Sequence, residues 1–323
     1  MKILLVFVLV LSLSFAQNSD DQRLRSLAKK NGLKSTPKNY QELQKITKNS
    51  LTPQKVSLGR TLFFEPLLSR DETLTCASCH KLSQGGDDNL PAAIGFKKRV
   101  NPKHLNSPTV LDASLSKFLF WDGRAKSVEE QAGGPIQAHF EMNLTPKELV
   151  DRLKKSPIYQ EAFKDAFDGV ISFKNVKLAI GAYERTLLTH GKFDSFLDGD
   201  NKAISKKAKD GLRLFIKQGC VKCHFGTALG GQLMQKFPRY AKDFPFKNIG
   251  GFRGKDDKQI IRVPILRNIT KTSPYYHNGV IKSLFDVVKI ESRYNTKKEL
   301  NKKQINSIIE FLKTLDGEII NYN

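Results

Sequence analysis

Two stretches of the sequence combine cysteine and histidine at a spacing that can hold a haem. They are Cys76-Ala77-Ser78-Cys79-His80 and Cys220-Val221-Lys222-Cys223-His224. Two thiols one helical turn apart can each form a thioether with a haem vinyl group, and the His that follows then lies beneath the iron. All four cysteines belong to these motifs, so a redox dithiol or half a zinc site is the weaker interpretation. The sequence predicts two covalently bound c-type haems, with His80 and His224 as proximal ligands.

The first residues have the composition of a secretory signal peptide. Lys2 is followed by an apolar run from Ile3 to Leu13 and by Ser14-Phe15-Ala16, a small-x-small cleavage pattern. The run of about eleven residues is too short to span a bilayer, which takes about 20. We therefore expect residues 1–16 to be a signal peptide cleaved near Ala16, and the mature protein to lack stable membrane insertion. Because covalent haem attachment is chemistry of the periplasmic side, the expected location is the periplasm.

The chain of 323 residues carries a formal net charge of +22. Export argues against nucleic acid as a partner. The lysines are scattered along the chain, as at 29–30, 97–98, 154–155 and 206–207, and do not form one basic arm. The favoured interpretation is a solvated basic surface; the alternative is electrostatic steering of an acidic electron donor.

The elements that must position the two motifs are predicted to be helices. Thr52-Pro53 is typical of a helix start. Two further helices are predicted by apolar residues at helical spacing: Val176, Ala179, Ile180, Tyr183 and Leu187 in one, and Ile305, Ile308, Ile309, Leu312 and Leu315 in the other, which Gly317 ends. Strand patterns are few and short. The predicted fold class is mainly α, with long loops and little strand.

An internal repeat indicates two units of one plan. Gly59-Arg-Thr-Leu-Phe-Phe recurs as Gly211-Leu-Arg-Leu-Phe-Ile, each just before a haem motif. At this length the chain has room for roughly two domains of ordinary size. We predict two cytochrome-c-like haem domains, residues 17–192 and 193–323, joined by a linker at 191–200.

Beyond the haem motifs, several stretches resemble the bacterial dihaem cytochrome c peroxidases, a family related to the methylamine-utilisation dihaem enzymes. They are Gly85-Gly-Asp-Asp-Asn89, Asn106-Ser-Pro-Thr-Val110, Phe120-Trp-Asp-Gly-Arg124, Gln131 to Met142, Arg262 to Asn268 and Pro274-Tyr-Tyr-His-Asn-Gly279. The resemblance extends from about Leu51 to Gly317. It implies that electrons from a small soluble cytochrome c enter at the C-terminal haem and pass to the N-terminal haem, where hydrogen peroxide is reduced to water.

The resemblance also implies roles for individual residues. Glu141 matches the distal acid that moves a proton between the peroxide oxygens. Gln131 and Pro135 match the distal loop, and Trp121 matches a tryptophan between the haems. Three positions match a calcium site, which accepts oxygen ligands alone: Asn106, Thr272 and Pro274. Two more, Arg262 and His277, match positions around the second haem.

The sequence departs from the family where a His in the loop after the first motif often closes the sixth position of the iron. Phe96 stands there and cannot bind iron. The N-terminal haem is then permanently open, or His104 from the same loop replaces the missing ligand, or His139 does. We favour the open site.

A second departure concerns the C-terminal haem, where the family places an axial Met fourteen residues after the matching His. Glu291 stands at that position. Met234 is the methionine left to compensate, and Tyr294 is a further candidate, since a tyrosinate ligates in the related oxygenases. A Met ligand raises the reduction potential, so its loss matters for function.

Three functions compete on these observations. The first and preferred is an exported dihaem peroxidase. The second is a dihaem oxidase of a protein side chain, and the third is a non-catalytic electron carrier, against which the distal acid argues. A homodimer is compatible with any of them.

Overall fold

The computed structural model describes residues 18–47, 51–237 and 260–322. The predicted signal peptide, residues 1–16, lies outside these ranges. The described chain is mainly helical, which confirms the expected fold class. Its α-helices are α1 (18–30), α2 (Tyr40–Ile46), α3 (Pro53–Phe63), α4 (Cys76–Cys79), α5 (Val128–Gln137), α6 (Pro146–Lys154), α7 (Pro157–Phe167), α8 (Phe173–Thr186), α9 (Lys192–Leu197), α10 (Lys206–Lys217), α11 (Leu284–Thr296) and α12 (Lys302–Leu312).

Strands are few and short over the described ranges, as predicted. Each pairs antiparallel with one other: β1 (Ile94–Gly95) with β2 (Arg99–Val100), β3 (Thr189–Gly191) with β6 (Gly317–Ile319), and β4 (Met234–Lys236) with β5 (Ile260–Arg262). None of the helices described is both long and apolar enough to cross a membrane.

The first unit is built on the packing of α3 against α8. The predicted helix start is confirmed: Thr52 caps α3 and Pro53 occupies its first turn. The two helices approach so closely at Gly59 that a Cβ there would overlap the carbonyl oxygen of Ala179. The buried core around this crossing contains Leu58, Leu62, Ile136, Leu149, Phe163, Val176, Ala179 and Ile180.

The second unit repeats this arrangement with α10 and α12. A Cβ at Gly211 would overlap the carbonyl oxygen of Ser307, so the glycines of the internal repeat occupy matching helix crossings. The predicted apolar face of the last helix is confirmed, since Ile305, Ile308, Leu312 and Leu315 are buried. They pack with Leu212, Phe215, Phe311 and Val221.

The structure corrects the prediction of a linker at 191–200. Residues Lys192–Leu197 form α9, whose side chains Phe193, Phe196 and Leu197 are fully buried in the second core. Glycine and aspartate at both ends suggested a loop, but the apolar residues between them fit one short helix. The division into 17–192 and 193–323 stays a prediction. One part of the first segment, α1, packs in the second core through Leu24 and Ala28.

A buried ion pair joins three parts of the chain. The Arg267 guanidinium donates two hydrogen bonds to the Asp194 carboxylate, each 2.7 Å, and both side chains are fully buried. The backbone N–H of Thr36 donates to the same carboxylate at 2.9 Å. Burial by itself raises the pKa of Asp194, but the hydrogen bonds from Arg267 outweigh it, and the pKa is lowered.

Candidate functional site

The first haem motif forms a single helical turn with its histidine held in one tautomer. Thr75 and Ser78 close α4 with a capping box, and the N–H of His80 donates to the Cys76 carbonyl at 3.0 Å. The Nδ1 atom of His80 lies 3.3 Å from the Gly86 carbonyl oxygen. A carbonyl only accepts, so Nδ1 carries the proton and Nε2 keeps the lone pair that a metal needs. Burial lowers the pKa of His80, which keeps the ring neutral.

The second motif repeats this geometry. Cys220–Lys222 form a 3₁₀ turn, and Nδ1 of His224 lies 3.1 Å from the Leu229 carbonyl oxygen. Burial lowers the pKa of His224 to about 4. Both histidines are thus neutral and oriented through a backbone carbonyl, as metal-ligating histidines usually are.

Each motif lines its own cavity. The first cavity has a volume of about 500 Å³ and is lined by Cys76, Cys79 and His80. The second has a volume of about 370 Å³ and is lined by Cys220, Cys223 and His224. Both volumes lie in the range typical of cofactor sites. A cysteine pair, an oriented imidazole and a largely apolar cavity occur together twice, so the residues present fit two haems.

The predicted distal residues all line the first cavity. Gln131 and Pro135 lie on α5, which Ser127 caps by accepting a hydrogen bond from the Glu130 N–H. Proline in the helix removes one backbone hydrogen bond, and the chain turns back after Gln137. Glu141 follows in this turn and lines the same cavity.

The loop 94–100 holds the backbone of Glu141 in place through a hydrogen bond. The N–H of Phe96 donates to the Glu141 carbonyl at 2.8 Å. Gly95 allows this approach, because a Cβ there would overlap the Phe140 carbonyl oxygen. Phe96 therefore positions the distal turn. Its side chain is not among the described residues that line the cavity, nor is that of His104, whereas His139 lines it.

The electrostatics of Glu141 depend on a residue to which the sequence analysis gave no role. Burial raises the pKa of Glu141, and the positive charge of Arg124 opposes that rise. Arg124 also lines the first cavity, 3.4 Å above the Phe120 ring, and pairs with Asp122 at 2.8 Å. In the sequence, the only indication of a role for Arg124 was its position shortly after the single tryptophan, Trp121.

A second buried carboxyl group, also missed from sequence, lines the first cavity. Glu184 lies on α8 and is 5% exposed. Burial, with a smaller contribution from Glu129, raises the pKa of Glu184 to about 8. The apolar stripe of α8 predicted this helix as core and gave no indication of an acid on its cavity side.

Trp121 lies in the wall between the two cavities and lines both. Its Nε1 donates to the Asn106 carbonyl at 2.9 Å, and the Arg262 N–H donates to the Trp121 carbonyl at 2.8 Å. The guanidinium of Arg262 lies 5.6 Å from the indole ring, and burial lowers the pKa of Arg262 to about 10. The ring of His277 is 6.2 Å from the indole. An aromatic ring fixed at this wall is placed to connect the two sites.

The three predicted calcium residues lie together at the edge of the second cavity. Asn106, Thr272 and Pro274 all line it. The side-chain Nδ2 of the buried Asn106 donates to the Leu90 carbonyl oxygen at 2.7 Å and to the Pro274 carbonyl oxygen at 3.4 Å. The N–H of Asn106 donates to the His277 carbonyl at 2.8 Å, which ties this cluster to the wall between the cavities.

Of the three candidates for the sixth ligand of the second haem, one faces the cavity. Glu291 lines it and accepts a hydrogen bond of 2.6 Å from Asn295. Burial raises the pKa of Glu291, while hydrogen bonds from Asn295 and Tyr276 favour the anion. Met234 packs against Gly123, and neither it nor Tyr294 belongs to the described lining of this cavity.

Comparison with known proteins agrees with this geometry. A family described as di-haem cytochrome c peroxidase matches residues 53–202. The chain is 40% identical over 280 residues to the cytochrome c551 peroxidase of Nitrosomonas europaea, covering 83% of each chain. It is 34% identical over 297 residues to the methylamine utilization protein MauG of Methylorubrum extorquens, covering 84% of this chain and 80% of that one. A solved MauG-like protein associated with microbial copper homeostasis superposes with a TM-score of 0.75 at 25% identity, covering 85% of this chain and 94% of that one.

Proposed function

Since the chain belongs to the di-haem cytochrome c peroxidase family, we propose that it is exported and reduces hydrogen peroxide at the first cavity with electrons received at the second. The enzyme is an oxidoreductase acting on peroxide. In the overall reaction, peroxide takes two electrons and two protons and yields two molecules of water. The observation that carries this proposal is that Glu141 and Gln131 line the same cavity as the first haem motif.

The bound haems supply the electrons and the Lewis acid, and the chain supplies proton handling and orientation. With haem bound, the Glu141 carboxylate would accept a proton from one peroxide oxygen and return it to the other, which would leave as water. Its raised pKa suits both halves of this transfer, because the carboxyl group is then neither a very weak base nor a very strong acid. Gln131 orients the peroxide by hydrogen bonding, and Trp121 connects the two haems.

At the second cavity we propose that Glu291, together with His224, would hold the iron of the bound haem. Tyr276 and Asn295 hold the carboxylate from the protein side. A carboxylate in place of a thioether favours ferric iron and lowers the potential of this haem. We also propose one calcium ion bound by the side chain of Asn106 and the carbonyls of Thr272 and Pro274, an oxygen-only set completed by water.

Oxidation of a protein side chain is the alternative to the peroxidase function. One observation favours it: no methionine is found among the described residues lining the second cavity. The same fold with a hard anionic ligand could oxidise a side chain of another protein. A specific protein substrate oxidised without a reduced cytochrome would favour this alternative. Fast peroxide turnover with a reduced small cytochrome c favours the peroxidase.

The test of the peroxidase compares two Glu→Gln variants of the mature holoenzyme. Glu141→Gln is expected to keep both haems and to lower kcat/KM for peroxide by about 10²–10⁴, the usual contribution of a positioned acid–base group. Glu161→Gln, on the exposed surface of α7, is the matched control and should leave kcat/KM unchanged. Equal turnover in both variants would remove Glu141 from the mechanism.

A further inference from the structure

Four exposed lysines surround the mouth of the second cavity. Lys217 is the last residue of α10, Lys222 lies between Cys220 and Cys223, Lys236 ends β4, and Lys298 follows α11. All four side chains line the cavity. They come from four separate segments and converge only in the folded chain; we call them the lysine rim.

The charge of the lysine rim is not neutralised by the described residues around it. The acids that line the same cavity are Asp87, which is 1% exposed, and Glu291, whose carboxylate faces Tyr276 and Asn295. None of the rim lysines forms an ion pair with a carboxylate among the described residues.

The first cavity has no such rim. Among the described residues that line it, Arg124 is exposed and pairs with Asp122, and Lys103 is half-buried. The lining of the second cavity therefore contains four exposed lysines, whereas that of the first contains one exposed arginine, which is paired, and one half-buried lysine. A uniform basic surface would not produce this difference.

We propose, on the basis of the peroxidase function above, that the lysine rim docks an acidic small cytochrome c whose exposed haem edge is ringed by carboxylates. One electron leaves the ferrous donor haem and reduces the second haem of this chain. Complementary charge raises association rates by about 10–10³ and positions the two haem edges. Because Lys222 stands between the two thioether cysteines, docking on the rim brings the donor to the edge of the bound haem.

The test measures stopped-flow reduction of the ferric holoenzyme by a reduced acidic cytochrome c and by a reduced basic one. At an ionic strength of about 0.01 M, the double variant Lys217→Glu, Lys298→Glu should lower the second-order rate constant with the acidic donor at least about tenfold. Raising the ionic strength to about 0.15 M should slow the wild type and leave this variant little changed.

The matched control is Lys154→Glu, Lys155→Glu, which makes the same change in net charge at exposed positions of the first unit. It should keep the wild-type rate. An equal loss in the control, an unchanged rate in the rim variant, or a faster reaction of the basic donor at low salt would overturn the docking proposal.

Peroxide turnover with hydroquinone, a small neutral donor, separates this proposal from the proposed function. Both double variants should retain it. If the wild type turns over no peroxide with any donor, the peroxidase function fails, while the reduction kinetics still decide where an acidic cytochrome docks.

Discussion

At the residue scale, the surroundings of Glu141 decide how it handles protons. Its carboxyl group is buried on the wall of the first cavity, where desolvation raises its pKa, and Arg124 supplies the compensating charge. A group that must first accept a proton is active only when ionised. The acid limb of the pH profile of kcat/KM should therefore have an apparent pKa above the ordinary Glu value of about 4.3.

Removing the compensating charge should move that limb in a known direction. Arg124→Met leaves the anion without its attractive partner, so the pKa of Glu141 rises further and the acid limb shifts to higher pH. Lys126→Met is the control, because Lys126 is exposed and donates to the Gly123 carbonyl. The measurement is kcat/KM for peroxide against pH, with haem content checked by absorbance. An unshifted limb in Arg124→Met would show that another group sets this pKa.

The two departures from the family pattern predict an unusual resting state. Of the candidate positions, Phe96 and His104 lie outside the described lining of the first cavity, and His139 lies in it. We expect His139 not to bind the iron, so the ferric N-terminal haem should show high-spin EPR signals as isolated. It should react with peroxide before the other haem is reduced. His104→Ala and His139→Ala should each leave the spectrum unchanged; a low-spin signal that becomes high-spin in either variant would contradict the open site. Glu291→Gln should alter only the signal of the second haem.

At the scale of elements, the internal repeat reflects two equivalent helix crossings. Gly59 in α3 and Gly211 in α10 each face a backbone carbonyl of the partner helix with no room for a Cβ. Backbone atoms cannot withdraw as a flexible side chain can, so added volume must separate α3 from α8 in the first unit and α10 from α12 in the second. This steric requirement explains why the repeat begins with glycine in both units.

Gly59 and Gly211, the glycines at the two helix crossings, should tolerate substitution by alanine poorly. Gly59→Ala and Gly211→Ala are each expected to destabilise the holoprotein by about 1–3 kcal/mol through overpacking. Gly133→Ala in α5 is the control, since its nearest neighbour is the Lys177 side chain, which can move; it should be neutral or stabilising by about 0.4–1 kcal/mol. Urea unfolding midpoints measure all three. A crossing variant as stable as the control would refute the close-packing explanation.

At the scale of the whole molecule, the buried Arg267–Asp194 pair connects the N-terminal segment, α9 and the loop after β5. Asp194→Asn leaves a buried guanidinium without its counter-charge, and we expect a loss of about 3–5 kcal/mol in the free energy of unfolding. The exposed pair Lys147–Asp151 provides the control, Asp151→Asn, which should leave the free energy of unfolding nearly unchanged.

The pH dependence of this loss has a definite sign. The pKa of Asp194 is lowered in the folded state, so its contribution is complete above the unfolded value of about 3.9 and disappears as the pH falls through the folded value. The stability difference between wild type and Asp194→Asn should therefore be constant near neutral pH and narrow below about pH 4. A difference that instead widens in acid would exclude this ionised pair.

The sequence by itself determined the chemistry and the local structure. The C-x-x-C-H spacing is contained within one helical turn, so it needed no tertiary information to predict both haem motifs. Helix starts such as Thr52-Pro53 and the face of α12 follow from capping and periodicity, which are also local. Glu141, Gln131 and Trp121 were found through motifs, and all three line the first cavity.

The tertiary structure alone decided which groups meet. Segments distant along the chain converge at the lysine rim, at the Arg267–Asp194 pair and around Glu184, and no local pattern records such convergence. The sequence left Met234, Glu291 and Tyr294 open as ligands of the second haem; packing placed Met234 against Gly123 and Glu291 in the cavity. The residues at 191–200 suggested a linker because their local signals were loop-like, yet burial of Phe193 and Phe196 in the second core stabilises a helix there. Local propensity is weak compared with the free energy of burying two aromatic side chains, so burial in the core determines that this segment is helical.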